Sequence, residues 1–273
     1  MRVSVLQMVS GTQLTGNLER ARALIARAAQ EGAELVLLPE HFGMIGRRDT
    51  DKLAIQERPG SGPIQQCLAD AAREHGLWVV GGTLPLSPAE PNAPRVFNSS
   101  LVFSPRGQCV ARYDKIHLFC FDDGKEQFDE SRTLLAGSAP AMFELPSRDG
   151  HRWRIGLSVC YDLRFPELYR SHARQGADLL LVPSAFTHTT GQAHWEVLLR
   201  ARAIENLSFV MAAAQGGVHE TGRRTWGHSL VCDPWGRLLG QLVEGEGVVT
   251  ADLSQPDLEK LRLQLPALGH RVL

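Results

Sequence analysis

The feature of the chain that most restricts its fold is a pattern that occurs in both halves. Residues 32–39 have the sequence GAELVLLP, and residues 176–183 have the similar sequence GADLLLVP. Residues 98–107, NSSLVFSPRG, are matched in the same way by residues 227–236, GHSLVCDPWG. Between the paired segments, residues 63–82 and 193–213 each have the pattern of a helix followed by a strand. We therefore expect two halves that share one order of elements.

Apolar periodicity predicts the elements of each half. Short apolar runs at 3–8, 35–38, 77–82 and 98–103 predict strands, and helical spacing predicts helices at 17–31, 63–75 and 166–174. Asn17 is the expected N-cap of the first helix, and Gly32 is its expected stop. Each half then offers one sheet with helices on one face, and the two bare sheet faces would bury each other. The predicted fold is an α/β four-layer αββα sandwich.

The two halves are expected to form a single domain over residues 1–273, because no linker rich in Ser, Gly or Pro separates them. Residues 256–273 would be a C-terminal tail. The composition, 43% apolar and 22% charged, is that of a globular protein. A formal net charge of −1 provides no basic field that would attract nucleic acid or an anionic membrane surface.

Membrane and metal classes are also poor matches to the sequence. The longest apolar runs, 35–38 and 179–182, fall far short of the roughly 20 residues that span a bilayer. The five cysteines are widely spaced and form no C-x-x-C pair, which argues against a disulfide framework or a zinc site. Together with the lack of a signal-peptide pattern, they favour the cytoplasm.

Cys160 is the sharpest candidate for chemistry. It follows an apolar run, residues 154–159, and precedes the helix predicted at 166–174. A cysteine at such a strand-to-turn junction presents its sulfur beside backbone N–H groups, as a nucleophile requires. A buried structural cysteine is the alternative. Ser158 is a poor nucleophile candidate, because the G-x-S-x-G pattern would need a glycine where Cys160 stands.

Two charged residues stand at unusual positions in the pattern. Glu40 directly follows the strand at 35–38, whereas Ser184 occupies the same place in the second half. The fold therefore does not require a carboxylate there, which favours a role in a site. Lys115 interrupts a strand-like alternation at 112–118. Either residue could instead be an ordinary solvated side chain. His117 is expected to make structural hydrogen bonds rather than to act as a base.

In this order, three segments resemble the Glu–Lys–Cys signature of the nitrilase, or carbon–nitrogen hydrolase, superfamily. They are Pro39-Glu40, residues 113–119 (YDKIHLF) and residues 160–167 (CYDLRFPE). The resemblance extends from residue 3 to about residue 253 and implies the same αββα sandwich. It implies that Glu40, Lys115 and Cys160 are catalytic. Residues 128–131 (FDES) resemble the segment that carries the family's second glutamate, here Glu130.

Within the superfamily, the chain is most similar to the deaminated glutathione amidase branch. The similarity lies in residues 183–187 (PSAFT), 190–196 (TGQAHWE), 199–206 (LRARAIEN) and 213–215 (AAQ). It implies hydrolysis of an amide to 2-oxoglutarate and cysteinylglycine through a thioester on a cysteine. An ω-amidase, or another hydrolase of small aliphatic amides, is the alternative within the fold family. A non-catalytic binding scaffold is the alternative from another class.

The resemblance also implies the supporting parts of the site. Glu40 would act as base, and the Lys115 ammonium and the Tyr161 N–H would stabilise the oxyanion. No metal or organic cofactor is implied, the only substrate is a small amide, and the chain would form a homodimer or higher homo-oligomer, with the C-terminal tail as a candidate part of the interface. The residues expected to bind substrate or to support the site are Glu130, Tyr161, Thr187 and Arg164.

Two features leave substrate details open. A substrate with two carboxylates needs cationic partners, and Arg164, Arg200 and Arg202 are candidates by charge. Structural pairs, Arg164 with Glu167 and Arg200 with Glu196, are the alternative. The chain also departs from the family where Cys120 replaces the usual Asp, and the loop at 122–126 is altered.

Overall fold

The computed structural model describes residues 1–88, 94–122, 124 and 127–272. The α-helices of this part of the chain are α1 (Leu14–Gln30), α2 (Pro63–His75), α3 (Pro166–Arg174), α4 (His188–Asn206) and α5 (Gln255–Gln264). The strands are β1 (Arg2–Gln7), β2 (Leu35–Leu37), β3 (Trp78–Val80), β4 (Leu84–Leu86), β5 (Val96–Phe103), β6 (Cys109–Asp114), β7 (Cys120–Asp122), β8 (Gln127–Asp129), β9 (Leu134–Leu135), β10 (Met142–Pro146), β11 (Arg152–Leu157), β12 (Leu179–Leu181), β13 (Phe209–Ala212), β14 (Gly216–Val218), β15 (Arg224–Trp226), β16 (Ser229–Cys232), β17 (Leu238–Leu242) and β18 (Gly247–Asp252).

Most strands belong to two large sheets with the same internal topology. One sheet has the order β18-β1-β2-β3-β5-β4, with β6 and β9 also paired to β5, and the other has the order β10-β11-β12-β13-β16-β17. In the first sheet β1, β2 and β3 are parallel and β5 is antiparallel to β3. In the second sheet β11, β12 and β13 are parallel and β16 is antiparallel to β13. The predicted repeat is confirmed.

The strand alternation explains how the layers stack. Because successive side chains of a strand point to opposite faces, Leu35 and Leu37 of β2 share one face and Val36 shares the other with the neighbouring Leu38. Leu35 and Leu37 belong to a core cluster that contains Leu179 and Leu181 of β12 in the opposite sheet. Val36 and Leu38 instead pack in a second cluster with apolar residues of α1 and α2, namely Ala21, Ile25, Ala28, Ile64, Leu68, Ala71 and Ala72. The predicted αββα order is confirmed.

The helix at 63–75 and the helix at 166–174 have the predicted bounds, but the prediction for the first helix is wrong at its start. Helix α1 begins at Leu14, and Gln13 rather than Asn17 is its N-cap. Asn17 is fully buried inside the helix, and its side chain bonds the N–H and carbonyl of Gly11 and the carbonyl of Gly43. A residue type that often caps helices here joins two loops, because its amide has both a donor and an acceptor.

No helix within the described ranges combines the length and apolar character needed to cross a membrane. All five cysteines are free thiols, of which Cys160 is buried and Cys120 is exposed.

Candidate active site

A pocket lies where the chain leaves several strands of the two large sheets. Glu40 follows β2, Lys115 follows β6, and Cys160 follows β11, so three separate strand ends supply the three predicted catalytic residues. The other lining residues are His41, Phe119, Glu130, Tyr161, Arg164, Ala185, Phe186, Thr187, Thr190 and Arg223. The sheets therefore bring together three predicted catalytic residues that are up to 120 positions apart in sequence.

Glu40 is held by hydrogen bonds from both halves of the chain. Its carboxylate, 2% exposed, accepts a bond of 2.9 Å from the Asn98 side-chain amide and one of 2.9 Å from the Ala185 N–H. The Gln215 side chain donates to the backbone carbonyl of Glu40 at 3.1 Å. A buried carboxylate needs such partners, because an unpaired charge away from water is costly. Glu40 is therefore a fixed group of the pocket and not a solvated strand-end residue.

Lys115 lies between two carboxylates and is fully buried. Its Nζ donates to Glu130 Oε1 and Oε2 at 2.9 and 2.8 Å and to Glu40 Oε1 at 3.1 Å. Burial alone would lower the pKa of Lys115, but the charges of Glu130 and Glu40 overcome that effect and raise the pKa above its ordinary value. Lys115 is consequently a permanent ammonium ion at neutral pH, suited to stabilise negative charge and unsuited to accept a proton.

Cys160 begins a 3₁₀ turn, Cys160–Arg164, directly at the pocket. Its φ of +50° lies in the left-handed region, which non-glycine residues rarely adopt and which is common at functional sites. Its N–H donates to the Pro183 carbonyl at 2.9 Å. Burial raises the pKa of the Cys160 thiol well above its ordinary value, the Glu40 charge acts in the same direction, and Lys115 opposes both. The sulfur is therefore a thiol at rest and needs a base.

Asp162, which the sequence interpretation did not single out, connects the Cys160 turn to the Lys115 segment. Its fully buried carboxylate accepts bonds from the Val159 N–H at 2.8 Å and from the Tyr113 hydroxyl at 2.7 Å. The other carboxylate oxygen contacts the N–H and Nδ1 of His117 at 3.1 and 2.7 Å. Asp162 lies within the motif CYDLRFPE, and this position could have identified it from the sequence. The structural interpretation of His117 is confirmed.

The remaining predicted residues also line the pocket. The Glu130 carboxylate accepts a bond of 2.7 Å from the Phe119 N–H in addition to its bonds with Lys115. The Tyr161 amide has no hydrogen-bond partner among residues 1–88, 94–122, 124 and 127–272. Thr187 is the N-cap of α4 and its side chain accepts from the Thr190 N–H. Arg164 lies 5.8 Å from the ring centroid of Tyr161.

Two of the three arginines suggested for substrate binding are occupied elsewhere. Arg200 forms the ion pair with Glu196 that was the structural alternative, at 3.2 Å. The Arg202 guanidinium donates two bonds to the Leu163 carbonyl, at 3.1 and 2.9 Å, and so supports the end of the Cys160 turn. Neither residue lines the pocket.

The suggested pair of Arg164 with Glu167 is wrong. Arg164 instead contacts His194 Nδ1 at 3.2 Å and lies 5.5 Å from the ring centroid of Phe186. The aromatic faces attract the guanidinium and keep it at the pocket wall rather than along helix α3, where Glu167 stands.

His41 and Arg223 are pocket residues that the sequence interpretation missed. His41 has a φ of +56°, and its Nε2 lies 3.8 Å from Glu40 Oε1. Burial lowers the pKa of His41 well below its ordinary value, and the charge of Lys52 adds to the effect, so the ring is neutral. The position of His41 next to Glu40 in the sequence could have identified it as a pocket residue. Nothing in the sequence pattern marked Arg223, which lies between a turn and the repeated segment 227–236.

Glu40, His41 and Glu130 have ligand atoms within 4.8 Å of one another, a spacing that a metal ion could bridge. The Lys115 ammonium, however, already lies within 3.1 Å of both carboxylates and supplies the positive charge that they require. The cluster is thus a buried carboxylate–ammonium network. Cys120, the departure from the family pattern, is exposed on β7 and lies outside the pocket lining. Residues 123, 125 and 126 of the neighbouring loop lie outside the described residues.

The chain is similar over nearly its whole length to a known protein family and to curated proteins. The model of the family described as carbon–nitrogen hydrolase matches residues 2–263. The chain is 42% identical to the deaminated glutathione amidase of Synechocystis over 98% of its length and 97% of that protein. It is 37% identical to the human omega-amidase NIT2 over 99% of its length and 94% of that protein.

Solved structures agree with this assignment. The crystal structure of the Caenorhabditis elegans NitFhit protein superposes with a TM-score of 0.87 and 37% identity, covering 99% of this chain and 65% of that one. A mutant amidase from Nesterenkonia sp. AN1 that carries acrylamide at its active-site cysteine superposes with a TM-score of 0.77 and 28% identity, covering 97% of this chain and 98% of that one. The chain therefore belongs to the carbon–nitrogen hydrolase family, as its three motifs indicated.

Proposed function

We propose that the chain hydrolyses the amide bond of deaminated glutathione, with Cys160 as nucleophile, Glu40 as general base and acid, and Lys115 as the oxyanion partner. The observation that carries this proposal is the meeting of a buried thiol, a buried carboxylate and a buried ammonium in one pocket. These three groups are what a thiol-dependent amidase needs, and the family membership makes hydrolysis of a carbon–nitrogen bond the reaction.

The first step is attack of the Cys160 sulfur on the amide carbon. Because burial and the Glu40 charge raise the thiol pKa, the proton must leave during attack rather than before it. The Glu40 carboxylate is the proton acceptor, since it lines the same pocket and its charge raises the pKa of the thiol. A bond forms between sulfur and the amide carbon, and the carbonyl electron pair moves onto oxygen.

The resulting oxyanion requires positive partners placed before the reaction begins. The Lys115 ammonium is already fixed by Glu130 and Glu40 and cannot move away into solvent. The Tyr161 N–H follows the nucleophile and has no competing acceptor within the described part of the chain. Preorganised donors of this kind contribute about 10²–10³ in rate each.

The tetrahedral intermediate then breaks down in the usual order for acyl transfer. Protonated Glu40 gives its proton to the leaving nitrogen, the carbon–nitrogen bond breaks, and the 2-oxoglutaryl group remains on sulfur as a thioester. Glu40, again a carboxylate, deprotonates a water molecule that attacks the thioester. The products are 2-oxoglutarate and cysteinylglycine, and the thiol is regenerated.

Deaminated glutathione is the preferred substrate because of the chain's likeness to the Synechocystis protein of that name and because the pocket carries Arg164 and Arg223. An ω-amidase that acts on the smaller 2-oxoglutaramate is the second candidate, and the identity to the omega-amidase of Homo sapiens supports it. The two substrates share the acyl group and differ in the leaving group, so one active site could accept either with different efficiency.

A side-by-side measurement of turnover tests the proposal. Purified protein is incubated with deaminated glutathione, 2-oxoglutaramate and a simple aliphatic nitrile, and 2-oxoglutarate release is measured for the first two. Hydroxylamine is added in parallel, because it converts an acyl thioester into a hydroxamate. We expect the highest kcat/KM for deaminated glutathione and hydroxamate formation from both amides. Binding without turnover or hydroxamate would instead identify a binding scaffold.

We further propose a reducing, cytoplasmic location, because a nucleophilic thiol must escape oxidation. We also propose that residues 1–273 form a single domain and that it assembles as a homodimer or higher oligomer. Two exposed apolar residues of the C-terminal segment support the proposed oligomer, since Leu263 is 82% exposed and Val272 is 94% exposed. Light scattering of the wild type and of Leu263→Glu measures the molar mass in solution and so tests the proposed oligomer. A monomeric wild type would contradict it.

A further inference from the structure

Arg223 is a cation at the pocket wall whose role the reaction steps above leave open. It directly precedes β15 and is partly buried, and its Nε atom is shielded from solvent without a hydrogen-bond partner among the described residues. Its guanidinium lies 5.5 Å from the ring centroid of Phe128, which limits its movement. Because Arg223 lines the pocket, its guanidinium can donate hydrogen bonds to an anionic group of a ligand bound there.

The charge balance of the pocket also favours an anionic ligand. Three cations, Lys115, Arg164 and Arg223, line the pocket against two carboxylates, Glu40 and Glu130. Both carboxylates bond Lys115, and no ion pair joins Arg164 or Arg223 to an acidic residue within the described part of the chain.

We infer that Arg223 binds a carboxylate of the substrate and selects anionic amides over neutral ones. The inference rests on the proposed function and extends it. Arg223 suits this role better than Arg164, whose guanidinium already contacts His194 and two aromatic rings. The carboxylate has two possible sources in deaminated glutathione: the 2-oxo acid of the acyl group and the terminal glycine of the leaving group.

The variant Arg223→Gln tests the inference, with Arg224→Gln as its control. Arg224 is the next residue along the chain, has the same charge and is exposed. We expect Arg223→Gln to raise KM by about 10- to 100-fold, as the loss of a charge-assisted hydrogen bond requires, with a smaller change in kcat. Arg223→Lys should recover part of the loss. Arg224→Gln should match the wild type.

Three amides identify which carboxylate is bound. They are deaminated glutathione, its C-terminal carboxamide and 2-oxoglutaramate. A raised KM for all three assigns Arg223 to the acyl-side carboxylate. A raised KM for deaminated glutathione alone assigns it to the glycine carboxylate. Unchanged KM values in both Arg223→Gln and Arg223→Lys would overturn the inference.

A binding measurement separates this inference from the proposed function. Alkylation by iodoacetamide is followed on the peptide that contains Cys160, and a ligand in the pocket should slow that reaction. Protection is measured with 2-oxoglutarate and with S-methylcysteinylglycine, each of which carries one candidate carboxylate, so no turnover is needed. We expect one of them to protect the wild type and Arg224→Gln, and to protect Arg223→Gln about 10-fold less well. Equal protection of Arg223→Gln, or no protection of the wild type, would overturn the inference even if the amides are hydrolysed.

Discussion

The two halves of the chain share a backbone plan but differ at each position that matters for chemistry. The parallel register of β1 with β2 and of β11 with β12 places Met8 in the first half where Cys160 stands in the second. The pairing of β5 with β6 and that of β16 with β17 contain the same irregularity. Their registers make Glu244 of the second half the counterpart of Lys115 in the first half. Ser184 is the counterpart of Glu40.

The counterparts show what the fold requires when no reaction takes place. Met8 is fully buried in the apolar core between sheet and helices, Glu244 is exposed, and the Ser184 hydroxyl donates to the Val182 carbonyl at 3.3 Å. Each of these roles is ordinary packing or solvation. The duplicated framework therefore supplies strand ends in both halves, and of each pair of counterpart positions only one carries a group of the candidate site.

The comparison also shows that the inactive positions still contribute. Ala185, which directly follows Ser184, donates its N–H to the Glu40 carboxylate at 2.9 Å. Thus the first half provides the carboxylate and the ammonium, and the second half provides the thiol together with a backbone donor for the carboxylate. Neither half contains a complete site.

Removing the thiol that we propose as the nucleophile should have the largest effect. In Cys160→Ala we expect kcat to fall by at least about 10⁴-fold, since the remaining groups cannot form a thioester. Cys67→Ala is the matched control, because both cysteines are 8% exposed and Cys67 lies in helix α2, outside the pocket lining. Steady-state kinetics and hydroxamate formation measure the difference. More than a few per cent of wild-type activity in Cys160→Ala would assign the thioester to another residue.

Removing the Glu40 carboxylate, which belongs to the first half, should have the second-largest effect on kcat. Glu40→Gln retains the size of the side chain but removes the base, and a loss of about 10²–10⁴ in kcat is expected. The counterpart change Ser184→Ala removes one buried hydrogen bond, so it should cost about 1 kcal/mol of unfolding free energy and leave kcat near the wild-type value. Rate against pH and urea unfolding measure both variants. A normal pH–rate profile in Glu40→Gln would remove Glu40 from the mechanism.

Removing the Lys115 ammonium should have the third-largest effect on kcat. In Lys115→Met we expect kcat to fall by about 10²-fold or more, because the oxyanion loses a preorganised cation. Lys115 also opposes the burial that raises the thiol pKa of Cys160, so its removal should move the pH dependence of iodoacetamide alkylation to higher pH. Glu244→Gln, the exposed counterpart, should change neither quantity. Unchanged alkylation and kcat in Lys115→Met would make Lys115 a structural lysine.

The positioning residue Asp162 should give the smallest loss of rate. Each carboxylate oxygen of Asp162 faces N–H donors, so in Asp162→Asn the new amide must turn a donor towards another donor. We expect a loss of about 1–3 kcal/mol in unfolding free energy and a fall in kcat of about 10-fold with little change in KM. Thermal unfolding and kinetics are the measurements. A changed KM with normal kcat would assign Asp162 to substrate binding.

The sequence was sufficient for the parts of the molecule that depend on local patterns. Helix α2 and helix α3 have the predicted bounds, since proline at the start and the apolar spacing are encoded nearby. The start of α1 was misplaced because Asn17 has a loop-joining role that depends on Gly43, 26 residues away in sequence. The sequence left the role of Arg202 open for a similar reason: its acceptor, the Leu163 carbonyl, is 39 residues away.

By itself, the sequence determined the family, the repeat and the layer order, and it singled out Glu40, Lys115 and Cys160 as candidates for the site, because each depends on residue types at fixed positions along strands. Only the tertiary structure decided which groups surround them. Asn98, Asp162 and Arg223 enter the site or support it through contacts between distant strands and turns, and sequence spacing does not specify such contacts. The state of the thiol was decided in the same way, because its pKa depends on burial and on the charges that the fold assembles around it.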